Sequence, residues 1–294
     1  MKGVTMKNLA SITFIAAFLA AASPARAAAP LKCEVYVSDS GSFCVTSTLI
    51  YGETEAFLVD VQYHKSDAVK FADRVAATGR KLKAIFISHP HDDHYMCIGV
   101  WREKFPNTPV YMAPACLKEF LRSSKRYYNG QKSYIPAETP DSLPTPEALP
   151  TTHFTIDGER VEIVPDRQGD EWVPSNSYVW IPSTRTIVAG DIVFNGVHMW
   201  LANSTEKSRK GWLKTLDRLS ALHPGVVIAG HKNESAAPDG PDVIQMNREY
   251  VKTFERLAGK ATGSDDLVAK MSDAFPSLRL KNILFRAARI TIPD

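Results

Sequence analysis

The segment His89-Pro90-His91-Asp92-Asp93-His94 decides the fold, and it follows directly on a largely apolar run, Leu82-Lys83-Ala84-Ile85-Phe86-Ile87-Ser88. A short run of this kind is typical of a buried strand. Three histidines and two aspartates then fall within six residues, in a chain that has only eight histidines. Because α/β sheets place their sites where a strand opens into a loop, the segment predicts a functional site at the end of a buried strand.

The residue types in this segment are those that bind metal ions. The His-x-His pair can face one ion, and the Asp-His pair, displaced along the bend of the loop, can face a second. Zinc accepts imidazole nitrogen and carboxylate oxygen at about 2.0–2.2 Å. Two such ions about 3.5–4 Å apart can hold a bridging hydroxide. The segment therefore predicts a dinuclear metal site.

The rest of the chain alternates strands and helices around this segment. In the first half we expect strands at 34–37, 44–50, 56–60 and 109–112, helices at 66–79, 95–105 and 115–128, and a proline-rich loop at 136–150. In the second half we expect strand pairs at 153–164 and 177–189, a helix at 206–222, a strand at 226–229 and two final helices, the second beginning near Ser264. The two halves share a coarse order, which favours two packed sheets with helices outside.

The motif pattern resembles that of the metallo-β-lactamase superfamily. The H-x-H-x-D-H motif is matched by His89, His91, Asp93 and His94, while Asp191 in Ala189-Gly190-Asp191 and His231 in Ala229-Gly230-His231 follow later strands in the same order. The resemblance covers the chain from about Val35 to His231. It implies an α/β fold, an αββα sandwich of two mixed β-sheets flanked by helices, with the metals at the edge of the sheets.

One position departs from the superfamily pattern, which usually has a further histidine about twenty residues before the Gly-Asp pair. The region 164–172 contains no histidine, and Asp170 falls closest to the missing ligand. A carboxylate can bind zinc, so Asp170 is the candidate that completes His89 and His91. Asp166 and Glu171 are alternatives, as is a metal with two protein ligands and additional water. An oxygen-richer site suits manganese or iron better than an all-histidine site does.

The resemblance also implies a role for each metal-site residue. His94 and His231 are expected to hold the second of two Zn²⁺ ions, and Asp191 to bridge the two. The metals would lower the pKa of a bound water, and the hydroxide would attack a carbonyl. Asp93, a ligand and catalytic candidate, would orient that hydroxide and carry its proton to the leaving group. For Asp92 we favour a role beside the ligands or as a helix cap.

Large side chains close in sequence to the ligands are candidates for the substrate-binding wall. An apolar acyl or ring group of the substrate could be bound through contacts with Tyr95, Met96, Trp172, Tyr178 and Trp200. Each of these residues could equally belong to the core. His198, seven residues after Asp191, is a catalytic candidate because it could donate a hydrogen bond to an oxyanion; a structural polar role is the alternative. The proline-rich stretch beside Tyr127, Tyr128 and Tyr134 could form a mobile lid or a plain surface loop.

Residues 1–27 have the pattern of a signal peptide. Lys2 and Lys7 precede an apolar run at 9–22, and Ala25-x-Ala27 fits cleavage after Ala27. The run is too short for a comfortable membrane span, so we expect none after cleavage. Residues 28–294 then form a single domain with C-terminal helices, located in the periplasm or secreted. Removal of Lys2, Lys7 and Arg26 takes the +3 charge of the chain to zero, which argues against nucleic acid as a partner.

An exported protein can form disulfides, and this chain has four cysteines. Cys33 and Cys44 lie in consecutive predicted strands, so a hairpin could join them. Four buried free thiols are the alternative. Cys97 and Cys116 offer no clear pairing, and the chain has no C-x-x-C motif. The oligomeric state stays open.

These features together favour an exported metallo-hydrolase that acts on a small molecule. We expect it to open a cyclic ester, such as an acyl-homoserine lactone, by attack of the metal-bound hydroxide. A β-lactamase is the first alternative, although the missing histidine argues mildly against it. A thioesterase or arylesterase and a diiron redox member of the same fold are further alternatives. The six matching metal-site residues argue against a degenerate, non-catalytic protein.

Overall fold

The computed structural model describes residues 1–3, 29–234 and 238–293, and most of the predicted signal peptide lies outside these residues. The strands in the described part are β1 Lys32–Val37, β2 Thr46–Tyr51, β3 Glu55–Val59, β4 Lys81–Ile87, β5 Val110–Met112, β6 Glu147–Ala148, β7 His153–Ile156, β8 Glu159–Arg167, β9 Asn176–Ile181, β10 Thr186–Val188, β11 Phe194–Asn195, β12 Val226–Ile228 and β13 His231–Lys232. The helices are α1 Lys65–Ala77, α2 Asp92–Tyr95, α3 Ile98–Lys104, α4 Pro114–Tyr134, α5 Glu206–Ala221, α6 Asp242–Ala258, α7 Ser264–Ala274 and α8 Lys281–Thr291.

Two mixed sheets carry the fold. The first has six strands in the order β1-β2-β3-β4-β5-β6, antiparallel from β1 to β3 and parallel from β3 to β6. The second has five strands in the order β12-β10-β9-β8-β7, and only its β10–β12 pair is parallel. A short parallel pair, β11–β13, lies outside both sheets. The parallel pairing of β3 and β4 brings the carboxyl ends of these two strands to the same sheet edge.

Three layers of buried apolar side chains explain why the sheets and helices stack. Between the sheets, Phe57 and Phe86 of the first sheet pack with Val179 and Ile228 of the second. A second cluster joins the outer face of the first sheet to α1, α3 and α4. A third joins the second sheet to α5, α6, α7 and α8. Each sheet is therefore covered by helices on one face and by the other sheet on the opposite face, which confirms the predicted αββα sandwich.

The main differences from the predicted elements lie at helix ends and in the proline-rich stretch. The predicted helix 95–105 corresponds to α3, which begins at Ile98 after the separate short helix α2, and α4 continues to Tyr134. The stretch 136–150 contains a 3₁₀ turn at Pro136–Glu138 and the short strand β6, so it is not wholly a loop. The predicted last helix is also two, because Pro276 cannot continue α7 and the chain restarts as α8 at Lys281.

The predicted disulfide between Cys33 and Cys44 is absent, and all four cysteines are free thiols. The strand register explains the difference. Cys33 of β1 lies opposite Ile50 of β2. Cys44 lies in the turn before β2 and has a φ of 56°. Pairing the two strands therefore carries Cys33 away from Cys44.

No helix in the described part of the chain combines the length and the apolar character that a membrane span requires. The apolar run at 9–22 lies outside that part.

Candidate metal centre

The end of β4 positions the histidine-rich segment. β4 stops at Ile87, and the chain then passes through His89 and His91 before α2 begins at Asp92. His91 is the extended N-cap residue of α2, with no capping hydrogen bond from its side chain, so its imidazole is available for the site. His94 lies within α2 and is buried, as is His89. Asp92 is the first residue of α2, so it is not the helix cap that the sequence interpretation allowed.

Three loops of the second sheet face this segment. Asp170 lies in the irregular chain after β8, Asp191 lies just after β10, and His231 begins β13. Two glycines allow the loops to approach. Gly190 has a φ of +52°, and a side chain at Gly230 would collide with the Asp191 carboxylate. Three separate strand ends thus bring their polar side chains to one place.

Four of these residues form one group of metal donors. His89, His91, Asp170 and Asp191 each offer a ligand atom, and the four atoms all lie within 4.8 Å of one another. Asp170 Oδ2 lies 2.8 Å from His91 Nδ1, and Asp191 Oδ2 lies 3.5 Å from His89 Nε2. The structure therefore brings Asp170 beside the histidine pair, at the place where the sequence interpretation put the missing ligand.

A second donor group lies beside the first. Asp93, His94 and His231 offer ligand atoms within the same distance limit. Asp191 also contacts this group, since its Oδ1 lies 3.2 Å from His94 Nε2 and its Oδ2 lies 3.1 Å from His231 Nε2. Asp93 Oδ2 lies 3.3 Å from His231 Nε2. Asp191 thus joins the two groups, which is the arrangement expected of a bridging carboxylate.

Hydrogen bonds from outside the donor groups hold the histidine rings. Asp60 Oδ2 lies 2.8 Å from His94 Nδ1 and accepts a 2.8 Å hydrogen bond from the Ser88 hydroxyl. The same hydroxyl lies 2.9 Å from His89 Nδ1. The Phe43 carbonyl lies 2.8 Å from His231 Nδ1. Contacts of this kind fix the tautomer and orientation of a metal-binding histidine.

Asp60 was missed by the sequence reasoning, although a signal for it existed. It follows the buried strand β3 directly, at the sheet edge where β4 also ends. It has a φ of +62°, a conformation that an aspartate adopts more readily than most residues. A lone acid after one strand points to no particular chemistry, so its role emerges only from the contact with His94, 34 positions away.

His91 has a second acid beside it. Glu171 Oε1 lies 2.7 Å from His91 Nε2, and Asn203 Nδ2 lies 3.1 Å from the same nitrogen. Glu171 is mostly buried. Asp166, the other alternative ligand, is exposed and lies in neither donor group. The two sides of the His91 ring are thus occupied by Asp170 and Glu171.

The charges in this buried cluster stabilise one another. Burial alone would lower the pKa of His91, but the carboxylates of Asp170 and Glu171 hold it well above its ordinary value. The pKa of His94 is likewise raised, against the effect of burial, by Asp191, Asp93 and Asp60. Burial would raise the pKa of Asp191, yet His231, His94 and His89 hold it well below its usual range. Burial and the neighbouring Asp93 raise the pKa of Asp92 to about 6.

Buried atoms without hydrogen bonds show that the first donor group fits a cation. His89 Nε2, Asp170 Oδ2 and Asp191 Oδ1 are buried and make no hydrogen bond of acceptable geometry to the described residues. An unpaired buried polar atom is costly, and a cation between these atoms would satisfy all three. Imidazole nitrogens and carboxylate oxygens are also the donors that zinc, manganese and iron accept.

A cavity of about 380 Å³ opens beside the first donor group. His91 and Glu171 form part of its wall, with Trp172, whose side chain is 56% exposed. Helix α4 contributes Glu119, Arg122, Ser123 and Tyr127, and α8 contributes Ile290. Trp200 lies edge-on to the His91 ring, with 6.2 Å between the ring centroids. Trp172 therefore lies on the cavity wall, whereas Trp200 contacts the His91 ring without being one of the residues that line the cavity.

Three other candidates for that wall belong to the core. Tyr95 is fully buried against Phe120, with its ring centroid 4.8 Å away. Met96 is fully buried, and Tyr178 packs in the apolar layer between the second sheet and its helices. Closeness in sequence to the ligands does not bring these side chains to the cavity: Tyr95 and Tyr178 point into apolar layers, and Met96 is fully buried.

His198 is also placed away from the predicted oxyanion role. Its side chain is fully buried, and its Nδ1 lies 3.0 Å from the Tyr250 hydroxyl. Burial, with a smaller contribution from Lys281, lowers its pKa to about 4. His198 lies in neither donor group of the described residues. The structure thus corresponds to the alternative, a structural polar residue in the helix layer.

Comparison with solved structures shows the same fold. A metallo-β-lactamase family protein from Thermus thermophilus aligns over 89% of this chain and 91% of its own, with a TM-score of 0.62 and 19% identity. A metallo-β-lactamase from Pontibacter korlensis aligns over 76% of this chain and 99% of its own, with a TM-score of 0.53 and 16% identity. A double mutant of the sec-alkyl sulfatase PisA1 covers 83% of this chain and 47% of its own, with a TM-score of 0.57 and 15% identity.

The sequence itself matches a family model. No curated protein matches the chain significantly. The model of the metallo-β-lactamase superfamily matches residues 43–231, which is more than half of the chain and includes every residue of the two donor groups. The chain therefore belongs to the metallo-β-lactamase superfamily of metallo-hydrolases.

Proposed function

We propose that this protein is an exported dinuclear metal-dependent hydrolase that opens a cyclic ester, with acyl-homoserine lactones as one substrate class. The observation that carries the proposal is the position of Asp191, which lies within 3.5 Å of His89, His94 and His231 and so joins the two donor groups. A single carboxylate between two sets of imidazoles is suited to holding two cations side by side.

Each donor group would hold one ion. The first ion would be bound by His89, His91 and Asp170. The second ion would be bound by Asp93, His94 and His231, and Asp191 would bind both ions. When bound, two such cations supply Lewis acidity, which lowers the pKa of water and polarises a carbonyl group. We favour zinc, and the carboxylate of Asp170 makes manganese or iron reasonable alternatives.

Asp93 is the candidate for proton transfer. Its side chain is 14% exposed, whereas that of Asp191 is 1% exposed, so Asp93 is the acid of the cluster that faces solvent. From this place it would orient the attacking water by accepting a hydrogen bond. It would then pass the proton to the alkoxide oxygen as the ester bond breaks.

The cavity beside His91 supports a small substrate with an apolar part. Trp172, Tyr127 and Ile290 offer aromatic and aliphatic surface, and the volume of about 380 Å³ is within the range of small-molecule sites. A lactone ring at the donor groups would place its acyl substituent against these side chains. Export by the predicted signal peptide would bring the enzyme to substrates outside the cytoplasm.

A substrate panel tests the proposal. Mature protein loaded separately with zinc, manganese and iron is assayed with short- and long-chain acyl-homoserine lactones, a nitrocefin-type β-lactam, an aryl ester and a thioester. We expect the highest kcat/KM for a lactone and about two metal equivalents per chain. Asp93→Asn should abolish turnover while the circular dichroism spectrum stays unchanged. A higher kcat/KM for the β-lactam or the thioester would contradict the lactone as the substrate. A metal content below one equivalent per chain after careful loading would contradict the dinuclear site.

A further inference from the structure

A second cavity, larger than the one beside His91, lies in the helix layer of the second sheet. Its volume is about 490 Å³, which is within the range of small-molecule sites. It is bordered by the end of β11, by α6 and by the turn between α7 and α8. Among the described residues, none lines both this cavity and the one at the metal centre. The second cavity therefore has no part in the proposed hydrolysis.

The apolar part of the wall is rich in aromatic rings and thioethers. Phe194, Tyr250 and Phe275 contribute three rings, and 4.9 Å separates the ring centroids of Tyr250 and Phe275. Met199 and Met246 add thioether side chains, and Met246 is 49% exposed although it is apolar. Aromatic faces attract organic cations, and methionine side chains adapt their shape to a ligand. This part of the wall is therefore suited to a cation that carries apolar groups.

Two carboxylates stand at the mouth of the same cavity. Asp242 and Glu249 line it, and both are exposed residues about two helical turns apart on one face of α6. Glu249 accepts a 3.2 Å hydrogen bond from the uncharged Thr253 hydroxyl, while the one basic residue between the two acids, Arg248, is paired with Asp217. Among the described residues that line the cavity, none is Lys, Arg or His. The negative charge at the mouth is therefore uncompensated within the wall.

Phe194 places this cavity next to the metal centre. Its ring stacks on the His231 ring, with 5.2 Å between the centroids and 2° between the planes. Asn247 holds the Phe194 backbone, because its Oδ1 accepts from the Phe194 amide at 2.8 Å and its Nδ2 donates to the Phe194 carbonyl at 2.7 Å. Within the described part of the chain, no residue of the two donor groups lines the cavity. The cavity is thus a neighbour of the second donor group and a separate site.

We propose that this cavity binds an organic ammonium ion, whose charge is held by Asp242 and Glu249 and whose apolar groups lie against the aromatic rings. A quaternary ammonium ion has no proton to donate, so aromatic faces and unpaired negative charge are the features that recognise it, and this wall combines the two. Carboxylates at the mouth also attract a cation from solution, and salt weakens that attraction. The inference does not depend on which substrate is hydrolysed at the metal centre.

Methionine methyl signals locate the bound cation. Residues 28–294 contain five methionines, which are Met96, Met112, Met199, Met246 and Met271. With zinc-loaded protein that carries isotope-labelled methionine methyl groups, benzyltrimethylammonium should shift the NMR signals of Met199 and Met246, which line the cavity, in a saturable manner. The signal of Met96, two residues after His94, reports on the metal centre and should stay in place. A shift confined to Met96, or no shift at about 10 mM cation, would overturn the inference.

A matched pair of ligands tests the need for positive charge. Benzyltrimethylammonium and benzyldimethylamine N-oxide have nearly the same shape, and only the first has a net charge. Titration of the same methyl signals should give an affinity about tenfold higher for the cation, with the ratio falling in about 0.3 M NaCl. Equal affinities would mean that the cavity selects shape and not charge, which overturns the inference and leaves the hydrolase proposal intact.

Variants assign the preference to the two acids of α6. The double variant Asp242→Asn/Glu249→Gln should bring the ratio of the two affinities close to one, and its circular dichroism spectrum should stay unchanged because both side chains are exposed. Glu119→Gln is the matched control, since Glu119 is a carboxylate on the wall of the other cavity, and its ratio should equal that of the wild type. A preference that persists in the double variant, or that is lost in Glu119→Gln, would place the cation elsewhere and overturn the inference.

Discussion

Oε1 of Glu171 lies 2.7 Å from Nε2 of His91, the ring nitrogen on the opposite side from Asp170. Carboxylates face both ring nitrogens of His91 and raise its pKa, so both nitrogens can carry a proton in the metal-free site. With a cation between Nδ1 and Asp170, the remaining proton would lie on Nε2, which would donate it to Glu171. The lone pair is then on Nδ1, which lies beside Asp170 in the first donor group. Glu171 therefore positions His91 and raises its basicity toward a cation.

Removal of Glu171 should weaken the binding of the first metal ion. We expect Glu171→Ala to lower affinity there by about 10–100-fold, the usual effect of losing a partner that orients a metal-binding histidine. Competition with a chromophoric chelator measures this. Asp166→Asn is the control, because Asp166 is exposed nearby in the sequence, and asparagine tolerates its φ of +57°. Unchanged affinity in Glu171→Ala would remove the positioning role.

Asp170 should determine the occupancy of the first metal. Asp170→Ala should lower the metal content from about two equivalents to about one, because only His89, His91 and the shared Asp191 would remain for that ion. Elemental analysis after gel filtration measures the content. Asp170→Glu keeps a carboxylate and should bind more metal than the alanine variant. Two tightly bound equivalents in Asp170→Ala would mean that another group completes the site.

Asp60 should contribute to stability as well as to metal binding. Its Oδ1 accepts from the Ser88 amide, and its Oδ2 faces Ser88 Oγ and His94 Nδ1. In Asp60→Asn one oxygen becomes a donor that faces other donors, so the free energy of unfolding should fall by about 1–3 kcal/mol. Urea unfolding of chelator-treated protein measures this without the contribution of metal. Asp73→Asn, at an exposed pair with Lys104, should change stability by less than about 0.5 kcal/mol.

The stability of chelator-treated protein should fall as the pH rises above about 6.5. The folded-state pKa values of His91 and His94 lie well above 6.5. The stabilisation from a raised histidine pKa is complete below the unfolded pKa of about 6.5 and is lost as the pH rises through the folded value. Unfolding midpoints across this range measure the effect. Stability that rises with pH in the chelator-treated protein would contradict the charge arrangement.

Zinc binding should have the opposite dependence on pH. Because His91, His94 and His231 all have raised pKa values and must lose their protons to bind a cation, we expect a net release of protons at pH 7 and a higher affinity at higher pH. Calorimetry in two buffers with different ionisation enthalpies gives the number of protons. A value near zero would mean that the histidines are already neutral before the metal binds.

All four cysteines should be reactive thiols in the unfolded protein. We expect about four equivalents with a colorimetric thiol reagent in denaturant, with or without prior reduction, as the free cysteines require. In the folded protein Cys97 and Cys116 should react slowly, because they are buried and burial holds their pKa values well above the ordinary range. A lower count without prior reduction would indicate a disulfide.

The sequence could predict the parts of the site that follow strand ends. His89, Asp191 and His231 each come soon after a buried apolar strand, and the αββα sandwich brings these ends to one edge. The ligand after β8 was harder to identify, since the irregular stretch at 168–175 has no periodicity from which to place Asp170 over Glu171. The two residues are neighbours in the chain, and only the folded loop shows that they lie on opposite sides of the His91 ring.

The substrate-wall predictions depended on closeness in sequence, which does not determine the direction of a side chain. Tyr178 and Val179 are adjacent in β9, yet Tyr178 packs toward the helices and Val179 packs between the sheets. Successive strand residues point to opposite faces, so the face had to be known before Tyr178 could be assigned.

The donor groups draw on both halves of the chain, with His89, His91, Asp93 and His94 attached to the first sheet and Asp170 and Asp191 attached to the second. A cation bound among them is a cross-link between two layers that otherwise adhere mainly through apolar contact. Its binding energy therefore adds to the cohesion of the sandwich, so the reaction centre can form only once both sheets have docked. Loss of the ions would weaken the contact between the two sheets as well as abolish turnover. The lifetime of the folded enzyme would therefore depend on the metal supply in its compartment.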